Sequence, residues 1–238
     1  MVQNEPEKKI RHIAIIMDGN KRWAKKHHVP TLKGHSEGAE NVQRIMKAAK
    51  ELGIEYITLY AFSTENWKRS KREVEGLMSL LRYFIRGNLE KINREGIRLR
   101  AIGNIEMLPD STRNILLDAI GKTKNNTAGN LILALSYGGR AEIANAARKI
   151  ASDAVAGKIK TDEIDEKLFS SYLYAPEIPD PDLMIRTSGE FRISNFLLWQ
   201  LSYSEIWITD TLWPDFSKEE LKTAIDAFYS RKRRYGGR

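Results

Sequence analysis

Six short apolar runs, each followed by a stretch with helical periodicity or by a polar loop, limit what this chain can fold into more than any other feature. They cover residues 13–17, 56–62, 97–102, 131–136, 183–186 and 205–209. They are rich in Ile, Leu and aromatic residues, and most are too continuous for a sheet with one wet face. Between them, apolar residues recur near a 3.6-residue period over 36–52 and again over 74–92, from Val74 through Leu81 and Phe84 to Ile92. Further helices are expected over 111–124, 141–156, 163–172 and 217–231. The last opens with Ser217 and Glu220, the spacing of a reciprocal helix cap. Strand alternating with helix predicts an α/β fold with a mainly parallel six-stranded central sheet flanked by helices. The length suits a single domain over 1–238, with an N-terminal extension over about 1–10 and a basic tail over about 231–238. The proline-containing stretch 175–182 reads as a loop within that domain.

Polar clusters follow four of the runs: Asp18-Gly19-Asn20, Ser63-Thr64-Glu65-Asn66, Gly138-Gly139-Arg140 and Thr187-Ser188-Gly189-Glu190. Ligands of open parallel sheets bind outside the carboxyl ends of the strands, so these clusters are expected to converge on one site. In the first, Gly19 lets the backbone approach a ligand, and a helix starting near Asn20 aims free N–H groups at an anion. Arg22 adds a bidentate phosphate donor. Asp18 would repel a phosphate unless a cation bridged them, as magnesium does. The same acid reads equally well as a cap on an ordinary turn.

The formal net charge of +8 points to an anionic partner: nucleic acid, an acidic lipid surface or a phosphorylated substrate. The absence of cysteine excludes disulfides and thiolate metal sites. No apolar leader opens the chain, and no stretch approaches the roughly 20 apolar residues of a membrane span. The expectation is a soluble, cytoplasmic protein, at most peripheral to a membrane.

Six ordered blocks carry a resemblance. Met17-Asp-Gly-Asn-Lys-Arg-Trp-Ala24 is followed by Gly34-His35, and then by Tyr60-Ala-Phe-Ser-Thr-Glu-Asn-Trp67. Tyr137-Gly-Gly-Arg140 and Ile185-Arg-Thr-Ser-Gly-Glu-Phe-Arg-Ile-Ser-Asn-Phe196 come next, and Leu212-Trp-Pro-Asp-Phe216 completes the pattern. Together they resemble the cis-prenyltransferases, the undecaprenyl diphosphate synthases among them. The resemblance runs from about residue 11 to the C-terminus, and so many blocks in order are far more specific than a lone glycine motif. It implies successive 1′-4 condensation of isopentenyl diphosphate with an allylic diphosphate of the farnesyl or geranylgeranyl type. The product would be a medium-long polyprenyl diphosphate for carrier-lipid synthesis, made by a magnesium-dependent homodimer that contacts a membrane peripherally to release it.

The resemblance also assigns roles. Asp18 would bind magnesium and be central to catalysis. Gly19, Asn20, Lys21, Arg22, Trp23 and His35 would hold the allylic substrate. Ser63, Asn66, Trp67, Arg69 and Glu73 would lie on a loop that closes over the substrates, with Ser63 and Asn66 near the proton transfer. Trp67 reads equally well as a core aromatic. Arg186, Arg192 and Ser194 would bind isopentenyl diphosphate, and Glu190 would orient the two arginines. Glu205 would be a second metal-associated carboxylate at the dimer interface. Arg234 in the basic tail would reach the diphosphates of the partner subunit. Thr31 stands where relatives carry an arginine, with Lys33 nearby as a substitute, and Phe191 stands where many carry histidine. The helix over 74–92, together with Leu59, Ala61, Leu131, Leu133 and Leu135, would wall an apolar tunnel for the hydrocarbon, where each buried methylene contributes about 0.8 kcal/mol.

Rival readings fit less well. A trans-prenyltransferase would be helical, with Asp-Asp-x-x-Asp motifs that this chain lacks. A noncatalytic subunit of the same fold would have lost Asp18. A nucleic-acid-binding module would want basic residues with exposed aromatics on one face, not basic residues beside strand-end carboxylates. A phosphatase using Asp18 would want a second aspartate where Asn20 stands.

Overall fold

A computed structural model describes residues 9–231. All six expected strands form: β1 (His12–Ile16), β2 (Tyr56–Ser63), β3 (Ile97–Ile102), β4 (Gly129–Tyr137), β5 (Leu183–Arg186) and β6 (Glu205–Ile208). They make one sheet in the order β3-β4-β2-β1-β5-β6, and every pairing is parallel. β1 lies inside the sheet between β2 and β5, and all five of its residues are buried.

The helices are α1 (Asn20–Lys26), α2 (Thr31–Glu51), α3 (Lys71–Arg94), α4 (Asp110–Thr123), α5 (Gly139–Val155), α6 (Glu166–Ser171) and α7 (Lys218–Ser230). Caps set several of these starts. Ser70 accepts from the Glu73 N–H at 3.3 Å to open α3, and Ser217 accepts from the Glu220 N–H at 3.3 Å to open α7. α6 is shorter than the pattern over 163–172, because Asp165 accepts from the Leu168 N–H at 2.7 Å and starts the helix there. α2 starts five residues before the expected 36, immediately after Pro30. Gly34 and Gly38 weaken the helical signal in that first stretch. They are needed there for close packing. A Cβ on Gly34 would lie 2.2 Å from the Asn20 carbonyl oxygen, and one on Gly38 would lie 2.2 Å from Asn20 Oδ1. α1 and α2 therefore meet almost backbone to backbone around Asn20.

Side chains alternate across the sheet, so each strand feeds two cores. Ile13, Ile15, Leu59 and Leu133 pack with Val42 of α2, Phe84 of α3, Leu116 of α4 and Leu221 of α7. Ala14, Ile16, Ala134 and Met184 face Phe196, Leu197 and Leu201 on the other side. Among the described residues, no helix is long and apolar enough to cross a membrane.

Candidate active site

The carboxyl ends of β1, β2, β4 and β5 open onto a cavity of about 640 Å³ between the sheet and helices α2 and α3. Its deep wall is apolar: Leu59, Ala61 and Leu133 come from the sheet, Val42 from α2, and Leu77 and Phe84 from α3. Its mouth is polar. Asp18, Asn20, His35, Arg186 and Ser194 line it together with Ser63, Asn66 and Arg69.

The turn after β1 is held tightly. The Asp18 carbonyl accepts from Thr187 Oγ1 at 2.7 Å and from the Trp213 N–H at 3.0 Å. Gly19 has φ 107°, a left-handed backbone, and a Cβ there would also press on Leu212 and Ser188 Oγ at 3.0 Å. This fixes where the Asp18 carboxylate points. Its Oδ1 accepts from the Gly19 N–H at 2.8 Å, and its Oδ2 accepts from Arg186 Nη2 at 2.8 Å. Arg186 is only 3% exposed. Its Nη1 also donates to Ser194 Oγ at 2.7 Å and to the Arg192 carbonyl, while its buried Nε–H has no partner among the described residues.

Three carboxylates at the mouth each bridge two basic groups. Asp18 lies 2.8 Å from Arg186 and 3.7 Å from Arg22. Glu190 lies 3.1 Å from Arg22 and 2.5 Å from Arg192. Glu73 lies 2.7 Å from Lys21 and 2.8 Å from Arg69. Five cations thus share three anions, and even with Glu65, a fourth carboxylate at the mouth, these cations outnumber the carboxylates at the entrance to an apolar space. Burial alone would raise the Glu73 carboxyl, but the hydrogen bond from Lys21 and the charge of Arg69 more than offset it and hold it below its ordinary value. His35 is pushed down to about 4, first by burial and then by the positive charges of Arg69 and Lys21, so its imidazole is neutral near pH 7. Among the described residues its Nε2 is buried without a partner, as is Asn20 Oδ1. Unanswered buried polar atoms beside a void are what a ligand would satisfy.

Several expected site residues are placed differently. Trp23 does not line the cavity. Its Nε1 donates to Asp215 Oδ1 at 2.7 Å and its ring stacks on His27 at 4.0 Å, so it seats α1 against the Leu212–Phe216 block. Lys21 does not line the cavity and pairs with Glu73 at 2.7 Å. Glu190 orients Arg192 and Arg22 but not Arg186, which Asp18 and Ser194 hold instead. Trp67 packs against the core, edge-on to Phe62 at 4.9 Å, with its Nε1 donating to Ser136 Oγ at 2.9 Å. Lys33 pairs with Glu37 on its own helix at 2.6 Å and does not line the cavity. Phe191 is 89% exposed.

Glu205 does not join Asp18 within one chain. It opens β6 in register with Leu183 and Ile13, at the amino edge of the sheet, whereas Asp18 lies past the carboxyl end of β1. Five residues of strand separate these levels, about 15 Å. Glu205 instead meets Arg231 at 2.6 Å. Arg234 lies outside the described residues. Of the expected tunnel walls, Leu59, Ala61, Leu133 and Leu135 line the cavity and Leu131 does not. The wall from α2 and the mouth residues Glu65 and Asn195 were missed. Asn195 carried a signal, since it stands inside the longest matching block.

Among the described residues, no cluster of three or more His, Cys, Asp or Glu side chains could hold a metal by itself. One carboxylate beside a cationic mouth still fits magnesium, which is commonly held by one or two carboxylates together with substrate phosphate oxygens.

Residues 16–236 match a family model described as "Putative undecaprenyl diphosphate synthase". The chain is 51% identical to an isoprenyl transferase of Heliobacterium mobile, over 99% of this chain and 90% of that one. It is 50% identical to the (2E,6E)-farnesyl-diphosphate-specific ditrans,polycis-undecaprenyl-diphosphate synthase of Micrococcus luteus, over 95% of this chain and 91% of that one. The crystal structure of lavandulyl diphosphate synthase from Lavandula x intermedia, in complex with dimethylallyl diphosphate, superposes with a TM-score of 0.93 at 38% identity. It covers 96% of this chain and 98% of that one.

Proposed function

The chain belongs to the undecaprenyl diphosphate synthase family of prenyltransferases, and from that membership we infer that it elongates an allylic diphosphate with isopentenyl diphosphate, forming cis double bonds. One observation carries this reading. A mouth in which five cations share three carboxylates opens onto an apolar cavity of about 640 Å³, the shape of a site for a molecule with a polyanionic head and a hydrocarbon tail. The tail gains by leaving water, and the head gains from the unpaired Arg186 Nε–H and the excess positive charge.

Within that reading the residues divide. The allylic diphosphate lies at the start of α1, over Gly19 and Asn20, within reach of Arg22, His35 and Arg69. Lys21 and Glu73 aim Arg69. Isopentenyl diphosphate takes Arg186, Arg192 and Ser194, with Glu190 steering Arg192. Asp18 would hold magnesium, which when bound would supply positive charge for the departing diphosphate. Arg22 and Arg69 stabilise the departing diphosphate electrostatically. A proton leaves C2 of isopentenyl diphosphate near Ser63 and Asn66 as the new double bond forms. The deep apolar wall excludes water from the cationic allyl centre and takes up the lengthening chain.

A homodimer is part of the reading. Glu205, Ile206 and Tyr203 lie at or beside the edge strand β6, and Ile206 and Tyr203 are exposed there, so a second copy can cover them. Product release to a membrane, and use of the product as a carrier lipid, follow from a polyprenyl tail too apolar for water.

The test is radiolabelled isopentenyl diphosphate with magnesium and allylic primers of several lengths, followed by product sizing. Long all-cis extensions of a farnesyl-length primer are expected. No incorporation with any primer would overturn the reading, and a single short condensation would overturn the elongation part of it.

A further inference from the structure

The loop after β5 and the turn after β2 come from chain segments 130 residues apart, and one amide joins them. Asn195 Nδ2 donates to Glu65 Oε1 at 3.0 Å. Its Oδ1 accepts from the Arg140 N–H at 2.9 Å, and its carbonyl accepts from the Gly139 N–H at 2.7 Å, at the start of α5. Its φ of 63° is left-handed, a conformation asparagine accepts better than most side chains. A Cβ on Gly138 would lie 2.8 Å from Asn195 Nδ2 and 2.7 Å from Thr64 Oγ1. The glycine is therefore required by the passage of this amide, which accounts for one residue of the Tyr137–Arg140 block.

Both ends of the link touch groups of the site. Ser194, immediately before Asn195, accepts from Arg186. Asn66, immediately after Glu65, accepts from the Ser63 N–H at 3.1 Å. Burial alone would raise the Glu65 carboxyl, but its own backbone N–H, the Asn195 amide and the hydroxyls of Ser63 and Thr64 hold it below its ordinary value, so the acceptor is charged.

We propose that Asn195 is a positioning residue that locks the Ser63–Asn66 turn to the loop carrying Arg192 and Ser194, so that the proton-transfer side chains and the isopentenyl diphosphate headgroup share one rigid frame. This rests on assigning Arg186 and Ser194 to that headgroup. The test is a double-mutant cycle on the full chain. Asn195→Asp keeps an oxygen for the Arg140 N–H, so α5 remains capped, but it sets an acceptor against Glu65. Steady-state kinetics should show kcat/KM for isopentenyl diphosphate falling about tenfold, the weight of one hydrogen bond to a charged group, with the KM of the allylic primer changed less than about twofold. Adding Glu65→Gln supplies a donor that faces the new carboxylate, and it should restore most of the loss.

A merely structural role for Asn195 would produce neither the substrate selectivity nor the rescue. Equal losses for both substrates, or no improvement from Glu65→Gln in the Asn195→Asp background, would overturn the proposal. If Asn195→Asp does not fold, Glu65→Ala leaves α5 and the loop intact and must give the same selective loss; kinetics like those of the parent chain would then overturn it. A parent chain that condenses nothing removes the functional reading and this proposal together. An active parent with an additive cycle removes this proposal alone.

Discussion

The two faces of the sheet bury polar groups differently, and the one atom left unanswered around Glu142 among the described residues, Gln200 Oε1, does not line the cavity. On the α5 face, Glu142 is 2% exposed and fully answered. It accepts from the Tyr137 hydroxyl at 2.5 Å, the Tyr174 N–H at 2.9 Å and the Gln200 amide at 3.2 Å. Burial holds its carboxyl above the ordinary value, although these donors offset part of the shift. Stacked aromatics fill the space beside it, Tyr60 on Phe196 at 4.4 Å and Phe196 edge-on to Tyr137 at 6.1 Å. On the α2–α3 face, Asn20 Oδ1 and His35 Nε2 are buried and unanswered beside a cavity. Each such atom costs about 1–3 kcal/mol. A fold keeps that cost where something else completes the bonds. The answered network reads as architecture and the unanswered one as a site.

The sharpest way to break this contrast is at Asp18. Asp18→Ala should lower turnover by about 10³-fold in a magnesium-supplemented assay, with the circular dichroism spectrum of the parent retained. Full activity would remove Asp18 from the chemistry. On the other face, Glu142→Ala leaves a hydroxyl, an amide and a backbone N–H without their acceptor. It should destabilise by about 3 kcal/mol in urea unfolding, and an unchanged midpoint would show that the network is not structural. Arg192→Ala tests the division of the mouth: the KM for isopentenyl diphosphate should rise about tenfold and that for the primer much less, and equal rises would reject the division. The smallest effect sharpens the contrast most. His35→Leu removes an unanswered polar atom, so unfolding stability should hold or rise by about 1 kcal/mol while the primer KM rises. A clear loss of stability would mean that His35 is answered after all.

The sheet was legible because its central strands are largely buried and so read as continuous apolar runs. β1 and β5 are buried at every residue, and the expected strand boundaries fall within two residues of those observed. The helix starts were less legible. Gly34 and Gly38 depress the signal of α2 for a reason that lies in α1, and no local pattern announces that a neighbouring backbone will pass there. The site divides in the same way. Asp18 and Arg186 stand at strand ends and Ser194 in the loop after β5, all inside recognisable blocks. That Trp23 would turn toward Asp215, or that Glu205 would fall at the far edge of the sheet, depends on how distant segments pack. Glu65 and Asn195 gain their meaning only from each other.

The interior place of β1 also has a consequence for synthesis. Its first neighbour, β2, follows within about forty residues, but Arg186 is 168 residues beyond Asp18. At ribosomal speeds of about 5–20 residues per second, one flank of β1 waits on the order of ten seconds for β5. During that interval the nascent chain presents an unpaired, largely apolar strand edge of the kind that recruits other chains. Chaperone dependence should therefore concentrate in the window before residue 186 emerges, and a product released prematurely in that window should aggregate.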